Sequence, residues 1–215
     1  MYNCMEGRLE EVGGIRVANT IRYLGVDLGD SRLCFREYQR GRVRLAEKMA
    51  NITFSVIARS CNKMIIGKTY WKSVVQPRVL SAAAEVVWTR EEVKQMQRVE
   101  NRVWRQILGA PEYTQVVALQ GEIGASTVEG RDMKIKLTFA QYMLRNKNGL
   151  LRAIFEKMLE KARPKKWIRL FREYMGELGV GLLQVREMSA GEVGGAVSGW
   201  EGDRWRREVE SKSTL

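Results

Sequence analysis

Residues 89–109, TREEVKQMQRVENRVWRQILG, predict one amphipathic helix with both of its ends marked. Thr89 and Glu92 have the spacing of a capping box, in which a hydroxyl and a carboxylate bind the backbone N–H groups that a helix start leaves without partners. Gly109, followed by Pro111, ends the helix. Apolar side chains recur on one face and basic side chains on the other. The apolar face comprises Val93, Met96, Val103, Trp104 and Ile107, and the basic face comprises Lys94, Arg98, Arg102 and Arg105.

An earlier helix, from Phe35 to about Met64, is predicted with the same two-sided pattern. Gly41 weakens its first turns by roughly 1 kcal/mol relative to alanine. Its apolar face comprises Val43, Leu45, Met49, Ile52, Val56, Ile57, Cys61 and Met64. Its basic face comprises Arg36, Arg40, Arg44, Lys48 and Arg59.

The remaining pattern predicts a mainly α protein, in which a small N-terminal β-hairpin leads into a helical bundle. Pro77 is expected to kink or divide a helix near residues 68–87. Ser126 and Glu129 have capping-box spacing and open a helix to about Asn146, after which two antiparallel helices follow. Residues 189–202, SAGEVGGAVSGWEG, predict a flexible linker because they hold five glycines and little to bury.

The charge of the chain predicts an acidic partner. Its 215 residues include 37 Lys and Arg against 25 Asp and Glu, a formal net charge of +12. Most of that excess lies in residues 31–110 and 131–175, and such segregation is typical of nucleic-acid-binding proteins. The chain has no histidine, which excludes Ser-His-Asp and Cys-His catalysis as well as histidine-ligated metals.

No residue of the sequence stands out as catalytic or metal-binding. Cys4, Cys34 and Cys61 lie far apart in the sequence and fit neither a zinc cluster nor a disulfide framework. They are interpreted as reduced intracellular thiols. Asp27 and Asp30 are interpreted as turn residues. Without a signal peptide or an apolar run of spanning length, we expect an intracellular protein, nuclear or cytoplasmic, with no membrane partner.

The two basic faces have two interpretations. They either follow a phosphate backbone or are simply solvated helix faces, and we favour binding because basic residues outnumber potential acidic partners on two helices. The nearby aromatic residues either stack on bases or belong to the core, and the core is favoured for them. These aromatic residues are Tyr70, Trp71, Trp88 and Trp104.

The order of several short motifs resembles non-LTR (LINE-type) retrotransposon reverse transcriptases. The sequence GGIRVANTIRYLGVDLGD, residues 13–30, is similar to the segment that follows the catalytic aspartates, where a strand carrying Y-L-G-V closes the palm. The later matches span most of the chain. They are Lys68 and Tyr70 before Val75-x-Pro77, Trp88, Glu100 with Arg102 before Ile107-Leu-Gly109, Ala118-Leu, Gly121-Glu-Ile-Gly124 and Lys212-Ser-Thr-Leu215.

The resemblance implies the last palm strands and the thumb of an RNA-directed DNA polymerase. Residues 1–30 would be the palm end, 31–110 a thumb-like bundle, 111–188 a post-thumb region, and 189–215 the linker with a partial helix. Tyr23, Leu24 and Gly25 would form a primer-grip-like site. The sequence lacks the F-A-D-D or Y-x-D-D pair that holds magnesium in that family, so we expect no cofactor on this chain and no polymerisation by it alone.

On this interpretation the basic residues contact the phosphates of the template and the primer. The chain would be truncated at both ends, and the rest of the polymerase would be its partner. The alternatives are a stand-alone helical adaptor or a functionless retroelement relic. The adaptor would bind a partner through the apolar seam of residues 151–162, in an oligomeric state that the sequence leaves open.

Overall fold

The chain folds as a mainly α protein. The computed structural model describes residues 11–12, 15–16, 20–23, 26–29, 32–163 and 165–213, with side chains between 38 and 211 apart from Pro164. Helices account for most of these residues, so the predicted fold class is confirmed. The N-terminal backbone has two short antiparallel strand pairs, Glu11–Val12 with Ile15–Arg16 and Thr20–Tyr23 with Val26–Gly29. Their assignment to a palm remnant stays a prediction, because Leu24, Gly25 and Asp30 lie outside the described residues.

Ten α-helices follow within the described residues. They are α1 Arg32–Ala58, α2 Lys63–Tyr70, α3 Gln76–Val79, α4 Arg90–Leu108, α5 Val116–Ile123, α6 Val128–Arg145, α7 Gly149–Glu160, α8 Lys166–Leu178, α9 Leu182–Glu187 and α10 Ala190–Ser213. A π-helical turn, Trp71–Val75, joins α2 to α3.

Helix α4 has the predicted ends. The Glu92 N–H donates to Thr89 Oγ1 at 3.2 Å, and the Thr89 N–H donates to Glu92 Oε2 at 2.8 Å, which completes the capping box. Gly109 ends the helix with a φ of +65°, a left-handed conformation that glycine adopts without a steric penalty. At the start of α6 the cap is one residue later than predicted, since Thr127 and not Ser126 accepts a hydrogen bond from Gly130 N–H.

The single helix predicted from Phe35 to Met64 is wrong at its C-terminal end. Helix α1 stops at Ala58, and the side chain of Asn62 opens α2 by accepting a hydrogen bond from Ile65 N–H at 3.1 Å. The helix predicted near residues 68–87 is not divided at Pro77, which lies inside α3 directly after the π-helical turn, and the helical segment ends at Val79. In the turns that follow, Ala82 has a φ of +59°.

The linker predicted at residues 189–202 is also wrong, because this segment begins helix α10. Ser189 and Glu192 form a capping box, with Ser189 N–H donating to Glu192 Oε2 at 2.6 Å and Glu192 N–H donating to Ser189 Oγ at 3.2 Å. Val193 and Val197, one helical turn apart, are buried against α6. Tertiary packing therefore outweighs the glycines, each of which costs a helix roughly 1 kcal/mol relative to alanine.

Two polar contacts fix the second half of α10. Glu201 Oε1 accepts hydrogen bonds from the N–H and the hydroxyl of Thr127, at 2.6 and 2.7 Å. Trp205 Nε1 donates to the carbonyl of Val117 at 2.9 Å. A Cβ atom at Gly130 would meet the carboxylate of Glu201, so a side chain at this position of α6 would displace that carboxylate.

The buried apolar residues form two clusters. The first joins α1 through α4 with Ile123 and Val128, and the second joins α6 through α10. The clusters meet inside α6, between Val128 and Met133, well after the border at residue 110 that the sequence suggested.

A buried ion pair lies next to this border. Lys136 Nζ binds Asp132 on the same helix and donates to the carbonyl of Ala83 at 2.9 Å. Asp132 Oδ2 in turn accepts from Tyr174 O–H at 2.8 Å, and Trp167 Nε1 donates to the carbonyl of Ala84 at 2.6 Å. Side chains of α6 and α8 therefore hold the turn that precedes α4.

Candidate nucleic-acid interface

Four of the five basic residues predicted on α1 are exposed. Arg40, Arg44 and Lys48 are spaced four residues apart and so share one face of the helix, and Arg59 follows just after its end. The side chain of Arg36, although its backbone lies in α1, is outside the described side chains. The opposite face carries Val43, Ala46, Met49 and Ile57 into the first core cluster. The predicted division of α1 into a core face and a basic face is therefore present, but Ile52, Cys61 and Met64, which were predicted on the apolar face, are exposed.

Helix α4 exposes three of its four predicted basic residues, namely Lys94, Arg98 and Arg102. Arg98 Nη1 lies 3.5 Å from Glu91 Oε1, and both side chains are well exposed. A surface ion pair of this kind contributes less than about 1 kcal/mol, so an incoming phosphate can replace the carboxylate at low cost.

Arg102 lies against α1. Its guanidinium carbon lies 5.8 Å from the ring centroid of Phe54, a residue of α1 that packs against the first core cluster. The basic row of α4 therefore reaches α1 at this point. We call these residues the basic surface: Arg40, Arg44, Lys48, Arg59, Lys94, Arg98 and Arg102.

Arg105 is placed differently from the other predicted contacts. Its side chain is half-buried, and its Nη2 donates to the carbonyl of Thr114 at 3.0 Å. Its Nε is buried with no hydrogen-bond partner among the described residues. Arg105 therefore stabilises the connection between α4 and α5, and its geometry favours a structural role over a phosphate contact.

The tryptophans near the basic surface belong to the core. Trp71, Trp88 and Trp104 are buried, and the rings of Trp71 and Trp104 meet edge to face at a centroid distance of 6.0 Å. Trp71 Nε1 donates to Glu100 Oε1 at 2.8 Å, which satisfies its only donor. Tyr70 is partly buried against the same cluster. The core interpretation of the aromatic residues is confirmed for the three tryptophans, and they are not available to stack on bases.

Sequence reasoning missed a further set of basic residues on α2 and the π-helical turn. Lys63 and Lys72 are exposed and Lys68 is half-exposed. Burial lowers the pKa of Lys72, and the charges of Lys68 and Arg131 lower it further, although Glu100 opposes them. The signal was present in the sequence, because residues 48–84 contain six Lys and Arg and no Asp or Glu.

Four of the thirteen basic residues in the second basic block, residues 131–175, make contacts that stabilise the fold. Lys136 is buried with Asp132, and Arg131 Nη2 binds the buried carboxylate of Glu100. Arg145 Nη2 donates to the carbonyl of Met188 at 2.7 Å, and Arg172 donates to that of Leu159. Lys136 is therefore not part of the positive surface, whereas other basic residues of this block, such as Lys147, Lys161 and Lys165, are exposed.

The described part of the chain contains no group of three or more His, Cys, Asp or Glu residues that could hold a metal ion. Among the described helices, none has the length and apolar character that a membrane span requires. No protein-family model matches the chain, and no match was found among curated proteins or solved structures.

Proposed function

We propose that this chain holds nucleic acid by contacts between the basic surface and backbone phosphates. The observation that carries the proposal is that two packed helices each expose a row of cations, and that Arg102 of α4 lies against Phe54 of α1. Phosphate contacts fix position and carry little sequence information, so we expect weak sequence preference.

The motif order supports a more specific assignment, a non-catalytic segment of a non-LTR reverse transcriptase that grips the template–primer duplex. Tyr23, the last residue of the strand Thr20–Tyr23, would lie beside the primer end, and α1 to α4 would form the thumb. The chain lacks the aspartate pair of that family, so we expect binding without polymerisation unless the remainder of a polymerase is supplied.

A salt titration tests the binding. Fluorescence anisotropy with a labelled RNA–DNA hybrid should give a log K against log salt slope of about −4 if about five phosphates are neutralised. Changing Arg40, Arg44 and Lys48 together to glutamine should reduce the magnitude of this slope by about 2 to 3, because each lost phosphate contact contributes about 0.9 to it.

The matched control removes three exposed cations near α7, by Lys147→Gln, Lys161→Gln and Lys165→Gln. This variant has the same net charge as the α1 variant, so a general charge effect would alter both equally. A parent slope near zero, or equal slopes for both variants, would exclude the basic surface as the binding site.

The helical adaptor is a second candidate because α7 exposes large apolar side chains. Leu150 is 68% exposed and Ile154 is 47% exposed, whereas Phe155 beside them is buried. A contiguous apolar patch on a soluble surface often marks an interaction site. The seam predicted at residues 151–162 is only partly available, since Met158 and Leu159 pack against the second core cluster.

On the adaptor hypothesis the protein is an oligomer that depends on α7. Leu150→Asp combined with Ile154→Asp should then give a monomer in sedimentation velocity experiments. Leu183→Asp is the control, because Leu183 is equally exposed but lies on α9. A monomeric parent, or an oligomer that survives the α7 changes, would dismiss this candidate.

A further inference from the structure

The connection from α1 to α2 ends in an exposed tip, which we define as residues 61–66. All six residues are exposed, and three consecutive ones carry large apolar side chains. Ile65 is 64% exposed, Met64 43% and Ile66 40%. Scattered single apolar residues are normal on a surface, but three adjacent exposed ones in the first turn of α2 indicate contact with another molecule.

The tip stands on a rigid base. Asn62 caps α2, and Gly67 packs so tightly that a Cβ atom there would lie 2.7 Å from Cγ1 of Ile107 and 3.1 Å from Cδ1 of Ile57. Helix α2 is therefore pressed against both α1 and α4, the two helices that carry the basic surface. Side chains on such a base can push into a ligand without being displaced.

The charge around the tip selects an anionic ligand. Lys63 lies within the tip, Arg59 and Lys68 flank it, and no acidic residue occurs between Glu47 and Glu85. Along the chain the tip begins two residues after Arg59, the last of the exposed basic residues that start at Arg40. A ligand that follows these basic residues by its phosphates would meet Met64, Ile65 and Ile66 at one end.

Apolar side chains in this position match a known way of deforming nucleic acids. Proteins insert wedges of Ile, Met, Leu or Phe between base steps. Contacts with the nucleic-acid backbone on either side offset the free-energy cost of unstacking. Met64, Ile65 and Ile66 are open to a base step at the exposed start of α2, whereas docking an amphipathic helix of a partner protein requires a groove.

We propose that Met64, Ile65 and Ile66 form a wedge that unstacks a base step of the duplex held by the basic surface. This inference rests on the proposed function, because the phosphate contacts bring the duplex to the tip. It adds a second activity, a local distortion of the duplex, to simple holding.

The test uses an RNA–DNA hybrid with 2-aminopurine placed at successive positions, because the fluorescence of this base rises when it is unstacked. The parent should raise the fluorescence at one position, and a variant with Met64→Ser, Ile65→Ser and Ile66→Ser should lose that rise. We expect the affinity of this variant for the hybrid to fall by no more than about tenfold, because the free-energy cost of unstacking a base step nearly cancels the gain from apolar contact with the bases. The control variant Leu183→Ser changes an exposed residue on α9 and should alter neither the fluorescence rise nor the affinity.

The outcomes separate the two proposals. A parent that does not bind the hybrid refutes the proposed function itself. A parent that binds with the expected salt slope but leaves 2-aminopurine quenched at every position refutes only the wedge. Binding of the parent to phosphatidylserine vesicles that the serine variant loses, together with unchanged 2-aminopurine signals, would assign the tip to a membrane surface and also overturn the wedge.

Discussion

Replacing Lys136 by methionine is expected to lower the free energy of unfolding by about 3–5 kcal/mol, the usual cost of breaking a buried ion pair from one side. The change leaves the carboxylate of Asp132 buried with Tyr174 O–H as its remaining hydrogen-bond donor among the described side chains, and it removes the donor to the Ala83 carbonyl. Urea unfolding followed by circular dichroism measures the loss.

The double variant Asp132→Asn with Lys136→Met is the matched control. It has no buried charge at this place, and the amide oxygen can still accept from Tyr174. Neutral replacements of buried ion pairs are often tolerated, so the double variant should be more stable than Lys136→Met alone. If the double variant is less stable than the single one, the unpaired charge is not the cause.

The pH dependence gives an independent readout. Burial raises the pKa of Asp132, and in Lys136→Met the attraction to Lys136, which opposes that rise, is gone. A carboxyl group whose pKa is higher in the folded state binds its proton more tightly there, so its contribution to stability is lost as pH rises towards that folded pKa. The deficit of Lys136→Met should therefore be smaller at about pH 5 than at about pH 8. A deficit that does not change with pH would contradict this explanation.

The Lys136 site shows what sequence reasoning could not supply. Residues 131–175 were recognised as basic, but a count of charges does not distinguish Lys136, which is buried, from Lys165, which is exposed. The distinction depends on the Ala83 carbonyl, 53 residues away in the chain, and a helical period carries no such information. The exposed basic faces of α1 and α4 were predictable because the spacing of residues on one helix determines them.

The ends of the helices also differ in whether local sequence or distant residues determine them. The ends of α4 followed from a capping box and a terminal glycine, which act within a few residues of each other. Helix α10 was missed although Ser189 and Glu192 have the same spacing, because its glycines favoured a linker by composition. What stabilises α10 is the burial of Val193 and Val197 and the contact of Glu201 with Thr127, all of which depend on α6 being in place.

Replacing Glu100 by glutamine is expected to destabilise the protein by about 3 kcal/mol, because a single carboxylate serves three donors in the first core cluster. Its oxygens accept from Trp71 Nε1 at 2.8 Å, from Gln76 Nε2 at 2.9 Å and from the guanidinium of Arg131. Glutamine has nearly the same volume, but its NH₂ group would face one of these donors, and Arg131 would lose its counter-charge. Thermal unfolding measures the effect.

Glu91→Gln on the same helix is the control, since its exposed pair with Arg98 should contribute less than about 1 kcal/mol. Equal losses in the two variants would show that the buried network does not stabilise the contact between α4, α6 and the π-helical turn.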